Sequence, residues 1–242
     1  MRLALILEYD GSQFHGWQIQ PGLRTVQSVV EEALAEMMGE PVRARASGRT
    51  DAGVHALGQV MHCDVARDIP PRNVMMGLNS LLPPDVRIME CRAASDDFHA
   101  QYHAVGKLYR YEILNRFQPT ALSRDRVWHI RQPLDDEAMR LGCSFLIGKR
   151  DFASFKSAGD DGTTIRDLRR LDIVRDQDKL TLTFEADGFL KHMVRNLTGA
   201  LVEVGLGRLA PDDIKVILES HSRSSTPRKA PPQGLTLVEV FY

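Results

Sequence analysis

Hydrophobic residues recur along the chain in two patterns, one typical of strands and the other of helices. Leucines at alternate positions of residues 3–7 predict a strand with at least one buried face. Apolar residues then recur at intervals of three and four from Val26 to Met38, with Thr25 before them and Gly39 after them. Because threonine caps helix N-termini and glycine commonly ends helices, this range is predicted to be a helix.

The rest of the first half continues the alternation of strands and helices. Residues 42–47 and 57–65 alternate in hydrophobicity and predict two strands. A helix is predicted from Pro71 to Leu82, and a strand over 86–90. The predicted order is β-α-β-β-α-β.

The second half repeats this order loosely, with one additional helix. The predicted strands lie at 106–115, 168–174, 180–186 and 235–242, and the predicted helices at 135–146, 189–205 and from Pro211 onwards. We therefore expect a mixed α+β fold of two ferredoxin-like halves, each an antiparallel sheet backed by helices. The expected domains are 1–104 and 105–242, with the active site in a cleft between them.

Composition restricts the class of protein. The chain has 242 residues, of which 43% are hydrophobic and 26% are charged, with a net charge of -1. This balance is typical of a soluble globular protein. The apolar run at residues 3–7 is too short for a signal peptide or a membrane span, so a cytoplasmic location is expected. Cys63, Cys91 and Cys143 form no CxxC pair, which argues against a disulfide framework and a cysteine-based zinc site.

Charge is segregated along the chain. Residues 102–131 contain six cations and two acids, a local net charge of +4, and a second basic group lies within residues 149–170. Acids gather at 31–40 and 135–137. The basic segments are either solvated surface or contacts for RNA phosphates.

The segment SGRTDAGVHALGQV at 47–60 places Asp51 close to Arg49 and His55, among three glycines. Aspartate in such a turn is most often structural, since its side chain bonds nearby backbone N–H groups. The surrounding hydroxyl, guanidinium and imidazole groups also suit catalysis. Ser47, Asp51 and His55 are too close in sequence for a typical hydrolytic triad, whose members usually come from separate structural elements.

Other polar clusters have two interpretations. Two sets of side chains are weak candidates for a metal site: His62 with Cys63 and Asp64, and His99 with His103. A metal-dependent hydrolase would use the histidines of these sets together with His55.

Tyr109 and Tyr111 lie on one face of a predicted strand, either as half-buried aromatics or as a base-stacking platform. With the basic segments, such a platform would also suit a non-catalytic RNA-binding protein or chaperone. In the predicted helix FLKHMVRN, Lys191 and Arg195 share one face, which is either solvated or supplies a partner to a buried carboxylate.

Seven motifs in order resemble those of the tRNA pseudouridine synthase A family. They are YDGSQFHGWQIQ with TVQ at 9–27, GRTDAGVHALGQV at 48–60, NSLLPPDV at 79–86, FHA at 98–100, KLYRY at 107–111, GFLKHMVRN at 188–196 and APPQGL at 230–235. Together they cover the chain nearly end to end. After FHA the family usually continues with Arg and Phe, where this chain has Gln101 and Tyr102.

The resemblance implies the pseudouridine synthase fold and roles for particular residues. Asp51 would be the nucleophile, and Arg195 its ion-pair partner. Arg49 would fill the space left by an extruded nucleotide or hold its phosphate, and Tyr109 would pack against the target base. His55 is expected among the substrate-binding residues.

The same resemblance implies isomerisation of uridines 38, 39 and 40 in the tRNA anticodon arm, without cofactor or metal, by a homodimer. The residues leave the first chemical step open. A carboxylate can attack ribose C1′, assist elimination there, or add to C6 of uracil.

Overall fold

The computed structural model describes residues 1–159 and 162–242, in which ten strands and five α-helices are found. The strands are β1 (Arg2–Tyr9), β2 (Arg45–Ala46), β3 (His55–Asp64), β4 (Val86–Ala94), β5 (Gly106–Asn115), β6 (Trp128–Ile130), β7 (Gly148–Asp151), β8 (Ile165–Asp176), β9 (Lys179–Ala186) and β10 (Leu235–Phe241). The helices are α1 (Val26–Met38), α2 (Pro71–Leu81), α3 (Asp136–Ser144), α4 (Met193–Gly205) and α5 (Asp213–Glu219). The expected mixed α+β class is confirmed.

The chain divides into two compact units. The first contains Met1–Val105 and Thr236–Tyr242, and the second contains Gly106–Leu235. The sequence places the domain boundary at residue 104 and assigns the last strand to the second half. In the structure Thr236 and Leu237 of β10 pair in parallel with the start of β3, so that most of this strand belongs to the first unit.

In the first unit the strand order is β4-β1-β3-β10, and β2 also pairs with β3. β1 is antiparallel to both β3 and β4. The alternate leucines predicted to be buried are fully buried in β1, and α1 and α2 bury Leu34 and Leu78 completely. The predicted β-α-β-β-α-β order is therefore confirmed for this unit.

Helix α1 begins and ends where the sequence predicts. Thr25 accepts a hydrogen bond from the backbone of Ser28, whose hydroxyl in turn contacts the backbone of Thr25, so the two form a capping box. Gly39 ends the helix in the left-handed conformation at φ 78°.

Strand β2 is shorter than the predicted 42–47. Only Arg45 and Ala46 pair with β3. The backbone of Ala44 bonds instead to side chains of α1, because its N–H donates to Glu31 Oε1 at 3.0 Å and its carbonyl accepts from Gln27 Nε2 at 3.1 Å. The helix therefore takes the backbone groups that a longer strand would have used.

In the second unit the strand order is β5-β9-β8-β7, and all three pairs are antiparallel. The short strand β6 pairs in parallel with β5. The sequence does not predict β6 or β7, which have three and four residues. Helices α3 and α4 cross closely, since a Cβ added to Gly205 would lie 2.7 Å from the sulfur of Met139.

Helix α4 begins at Met193, not at Phe189 as predicted. His192 at the N-cap has φ 63°, a left-handed conformation that a helix running through from Phe189 could not contain. Lys191 therefore does not share a helix face with Arg195, and the predicted basic face is wrong. Every residue of α4 except Glu203 is buried.

Among the described residues, no helix is both long and apolar enough to cross a membrane.

Candidate active site

Asp51 lies in the loop between β2 and β3. The backbone N–H of Ser47 donates to Val60 O at 2.8 Å, so the two sides of the loop stay paired beyond β2. A turn follows in which Val54 N–H donates to Asp51 O at 3.1 Å, and Gly53 has φ 77°. The positive φ explains why glycine stands two residues after Asp51.

A second segment holds this loop by its backbone. Trp17 N–H donates to Thr50 O at 3.0 Å, and Gly53 N–H donates to Phe14 O at 3.2 Å. Gly16, at φ 90°, lies so close that an added Cβ would be 2.6 Å from Thr50 O. Backbone contacts on both sides of Asp51 therefore determine where its carboxylate can lie.

Buried polar side chains support the loop from below. Tyr9 and Thr50 share a hydrogen bond of 2.8 Å between their hydroxyl oxygens. Ser47 donates to Gln59 Oε1 at 2.8 Å, and Gln59 Nε2 donates to Gly48 O at 2.9 Å. Burial raises the pKa of Tyr9 to about 12, although the hydrogen bonds to Thr50 and Gln59 act in the opposite direction. Tyr9 thus stays a neutral hydroxyl at ordinary pH.

Exposure differs sharply between neighbouring residues of the loop. Thr50 is 7% exposed, whereas Arg49 is exposed and Asp51 is half-buried. With Thr50 anchored beneath the loop, its charged neighbours are both accessible to a substrate. This is the arrangement expected of a reactive carboxylate on a rigid support.

His55 contacts the protein rather than solvent. It is 3% exposed, and its Nδ1 accepts a hydrogen bond from Gly11 N–H at 3.1 Å. Asp10 Oδ1 lies 3.2 Å from the same nitrogen and also accepts from Ser12 N–H at 3.0 Å. His55 therefore ties the segment before Gly16 to the start of β3.

The second unit contains the other two predicted site residues, Tyr109 and Arg195. Tyr109, on β5, is 8% exposed and packs edge-on against Phe189, with ring centroids 5.1 Å apart. Tyr111, two residues further along the strand, is fully buried and donates to Pro231 O at 2.7 Å. The sequence leaves Tyr109 and Tyr111 as either packed aromatics or a base-stacking platform. The burial of both rings favours packed aromatics.

Arg195 lies in the first turn of α4 and is 7% exposed. Its Nε donates to Ala230 O at 2.9 Å, and Ala230 N–H donates to Arg195 O at the same distance. The paired bonds fix Arg195 against the segment APPQG at 230–234. Burial raises the pKa of Tyr111, and the positive charge of Arg195 acts to lower it, so the two groups lie within electrostatic reach.

Comparison with known proteins identifies the family. A family model described as tRNA pseudouridine synthase matches residues 5–103 and 143–242. The chain is 46% identical over 241 residues to tRNA pseudouridine synthase A of Geobacter sulfurreducens, and this match spans 99% of each chain. It is 44% identical to the protein of the same name from Geotalea daltonii, again over 99% of each chain.

The chain belongs to the tRNA pseudouridine synthase family. It is an isomerase that converts uridine in tRNA to pseudouridine. Arg49, Asp51, His55 and Arg195 lie within the residues matched by the family model, whereas Tyr109 lies outside them. The prediction for Tyr109 therefore rests on the resemblance of the KLYRY motif alone.

The metal candidates of this synthase have other contacts. His62 Nδ1 accepts from Ala100 N–H at 3.2 Å, and the ring of His62 lies 4.6 Å from that of His99. Burial, followed by the nearby His99 and Arg2, lowers the pKa of His62 to about 4. Within residues 1–159 and 162–242, no group of three or more His, Cys, Asp or Glu side chains is placed to hold a metal ion.

Sequence reasoning misses three residues that position the synthase loop. Tyr9, Gln59 and Gly16 touch the loop through hydroxyl, amide and backbone contacts, yet they lie up to 42 positions from Asp51. The available signal is a polar Gln59 between apolar neighbours in β3, where it is fully buried. A buried amide requires hydrogen-bond partners, and here they are loop groups.

Proposed function

We propose that this synthase isomerises uridines 38, 39 and 40 in the anticodon arm of tRNA, with Asp51 as its nucleophile and without a cofactor. The observation that carries the assignment to Asp51 is its half-buried carboxylate on a loop held from both sides by backbone bonds to residues 14 and 17. A nucleophile must be held in one position relative to the atom that it attacks, and backbone bonds on both sides of the loop provide this.

The reaction breaks the bond between ribose C1′ and uracil N1 and forms one between C1′ and C5. The base turns over without leaving the protein, C5 gives up its proton to restore the ring, and the released N1 gains one, so the product is an isomer of the substrate. Asp51 serves this exchange by attack on C1′, by assisting elimination there, or by addition to C6. All three require an ionised carboxylate within reach of the flipped nucleotide.

Arg49 is proposed to hold the extruded nucleotide or its phosphate. It is exposed and two residues from Asp51, and a guanidinium binds phosphate through paired hydrogen bonds. For His55, which is 3% exposed, we propose a contribution through the loop that it holds. Tyr109 and Arg195 are proposed to serve the same reaction from β5 and α4.

The test is conversion of an unmodified tRNA transcript, in excess chelator and without added cofactor, followed by chemical mapping of pseudouridine. We expect product at positions 38 to 40 with the wild type and none with Asp51→Asn, which retains the size of the side chain. Asp51→Asn should still bind the transcript. Undiminished turnover by this variant would refute the assignment, and a requirement for metal would show as loss of wild-type turnover in chelator.

Arg195 has a separate test because it is buried. Arg195→Met keeps much of the volume and removes the charge, but it also removes the donor to Ala230 O, so the melting temperature of the variant is measured beside its turnover. We expect turnover to fall by at least about 100-fold, the scale on which removing one electrostatic contact to the transition state slows a reaction. A variant that melts like the wild type and retains full turnover would exclude Arg195 from the reaction.

We further propose that the synthase acts in the cytoplasm as a homodimer that binds one tRNA across both subunits. Sedimentation of the protein with and without tRNA measures this directly. A single subunit per active complex would contradict it.

A further inference from the structure

An open cavity of about 600 Å³ lies in the second unit, between β6 and the C-terminal end of α4. Ten residues line it: Phe117, Trp128, His129, Ile130, Arg131, Gln132, Val202, Glu203, Leu206 and Arg208. Its volume falls within the range of small-ligand sites. Phe117 to Gln132 fall in the stretch 104–142, which the family model does not match.

Aromatic rings and guanidinium groups meet at this cavity. The guanidinium carbon of Arg131 lies 4.1 Å from the centroid of the Phe117 ring, and Phe117 is 64% exposed. Trp128 is half-buried and packs edge-on against Tyr111, with ring centroids 6.3 Å apart. The cavity therefore presents an exposed aromatic ring with a guanidinium group over its face.

The charge at the cavity favours an anionic partner. Arg208 Nη1 donates to both carboxylate oxygens of Glu203 at 3.2 Å, which neutralises the single acid of the lining. Arg131 is exposed, and its guanidinium lies over the Phe117 ring. It is also the last residue of the stretch 102–131, whose net charge is +4.

Local hydrogen bonds hold the cavity wall in place. His129 Nε2 bonds to Arg116 O at 2.8 Å, and Arg116 Nε donates to Gln118 O at the same distance. The peptide of Phe117 is therefore fixed on both sides before any partner arrives. Preorganised side chains lose less conformational entropy on binding.

We propose that this cavity binds an unpaired nucleotide of the tRNA substrate. The base would stack on Phe117 or Trp128, and a neighbouring phosphate would pair with Arg131. Unpaired RNA is commonly bound by aromatic rings that stack with bases beside cations that hold phosphates. The inference extends the proposed function, since it requires tRNA as the substrate, and it does not depend on the role of Asp51.

A second copy of this chain is the competing occupant. Across a two-fold axis both copies present the same patch, so two cavities placed near the axis would bring their positive charges together. The observed charge makes such a contact unfavourable, whereas it favours RNA.

The experiment compares two variants of the cavity with two matched controls. Phe117→Ala is paired with Leu122→Ala, because Leu122 is 98% exposed in the same segment and does not line the cavity. Arg131→Gln is paired with Arg124→Gln, which removes the same charge from a nearby side chain that is 71% exposed and also outside the lining.

Affinity for unmodified tRNA is measured over a range of salt concentrations. Phe117→Ala should weaken binding by about 5- to 20-fold with little change in the salt dependence, since stacking on a base is an uncharged contact. Arg131→Gln should weaken binding and lower the slope of log Kd against log salt by about 0.7, as expected for one phosphate contact to a single strand. In turnover, both variants should raise KM and leave kcat unchanged.

Other results would overturn the inference. If both cavity variants bind tRNA as well as their controls while the wild type makes pseudouridine, the proposed function stands and the cavity site does not. If either variant changes the sedimentation coefficient without RNA, the cavity is a contact between copies of the chain. If the wild type makes no pseudouridine, the proposed function fails, and the binding comparison still decides the cavity.

Discussion

Gly16 offers a direct test of whether contact with the neighbouring segment positions Asp51. A Cβ at Gly16 would lie 2.6 Å from Thr50 O, 3.2 Å from Ala52 N and 3.2 Å from the carbonyl carbon of Asp51. All three are backbone atoms, so no flexible side chain can move aside. To restore ordinary contact, at least 3.4 Å, the loop must shift by about 0.8 Å.

Gly16→Ala therefore carries two costs that can be separated. The left-handed φ of 90° costs a residue with a side chain about 1–2 kcal/mol of folding free energy. The steric overlap adds about 1–3 kcal/mol or displaces the loop. Because a displacement near 1 Å can slow a reaction about 100-fold, kcat should fall by roughly that factor.

Gly22→Ala is the matched control. Gly22 has φ 73°, and an added Cβ would meet nothing within 4 Å, so this variant carries the backbone cost without the overlap. Urea unfolding and single-turnover pseudouridine formation should be measured for both variants. We expect both to lose stability and only Gly16→Ala to lose turnover. Equal single-turnover rates in the two variants would refute the idea that this contact places Asp51.

Two further predictions concern buried polar groups. His62→Asn keeps an acceptor for Ala100 N–H but does not titrate. The pKa of His62 is about 4 in the folded state and 6.5 in the unfolded state, so between these pH values the unfolded state binds the extra proton. The free energy of unfolding of the wild type should therefore fall by about 3 kcal/mol as the pH drops from 6.5 to 4. Unfolding curves of the variant should not show this loss. Tyr9→Phe should lose about 1–3 kcal/mol in urea unfolding, because the buried Thr50 hydroxyl loses its partner, and kcat should also fall. Tyr242→Phe should lose less, because Tyr242 is 44% exposed and its hydrogen bond to Ala100 O is only partly buried, and a larger loss there would contradict this ranking.

Elements with local signals were predictable from the sequence. Helix α1 has a side-chain cap at Thr25 and a left-handed glycine at Gly39, both within one turn of the helix ends. Strand β1 carries its burial pattern in its own leucines. Such signals depend on residues close in sequence, which is why a pattern read along the chain finds them.

Elements determined by distant contacts were not predictable in the same way. Residues 42–47 alternate like a strand, yet the side chains of Gln27 and Glu31 bind the backbone of Ala44 and shorten it. The same holds for the loop of Asp51. Its composition indicates chemistry, but the contacts that hold it come from Tyr9, Gly16 and Gln59 on other elements.

Arg195 shows why a motif does not reveal the environment of its residues. Read as part of a helix from Phe189, it belongs to a basic face together with Lys191. The left-handed His192 separates the two cations, and Lys191 donates to Ala158 O at 3.1 Å outside the helix.

Arg195 is left in a helix buried on almost every side, where an arginine is costly unless it is bonded. Its bonds with Ala230, 35 residues away, meet part of that requirement, so the APPQG segment and the HMVRN segment act as one structural unit. Arg195→Met, with its melting temperature and its turnover measured side by side, therefore separates a need of the fold for these bonds from a need of the reaction for the charge.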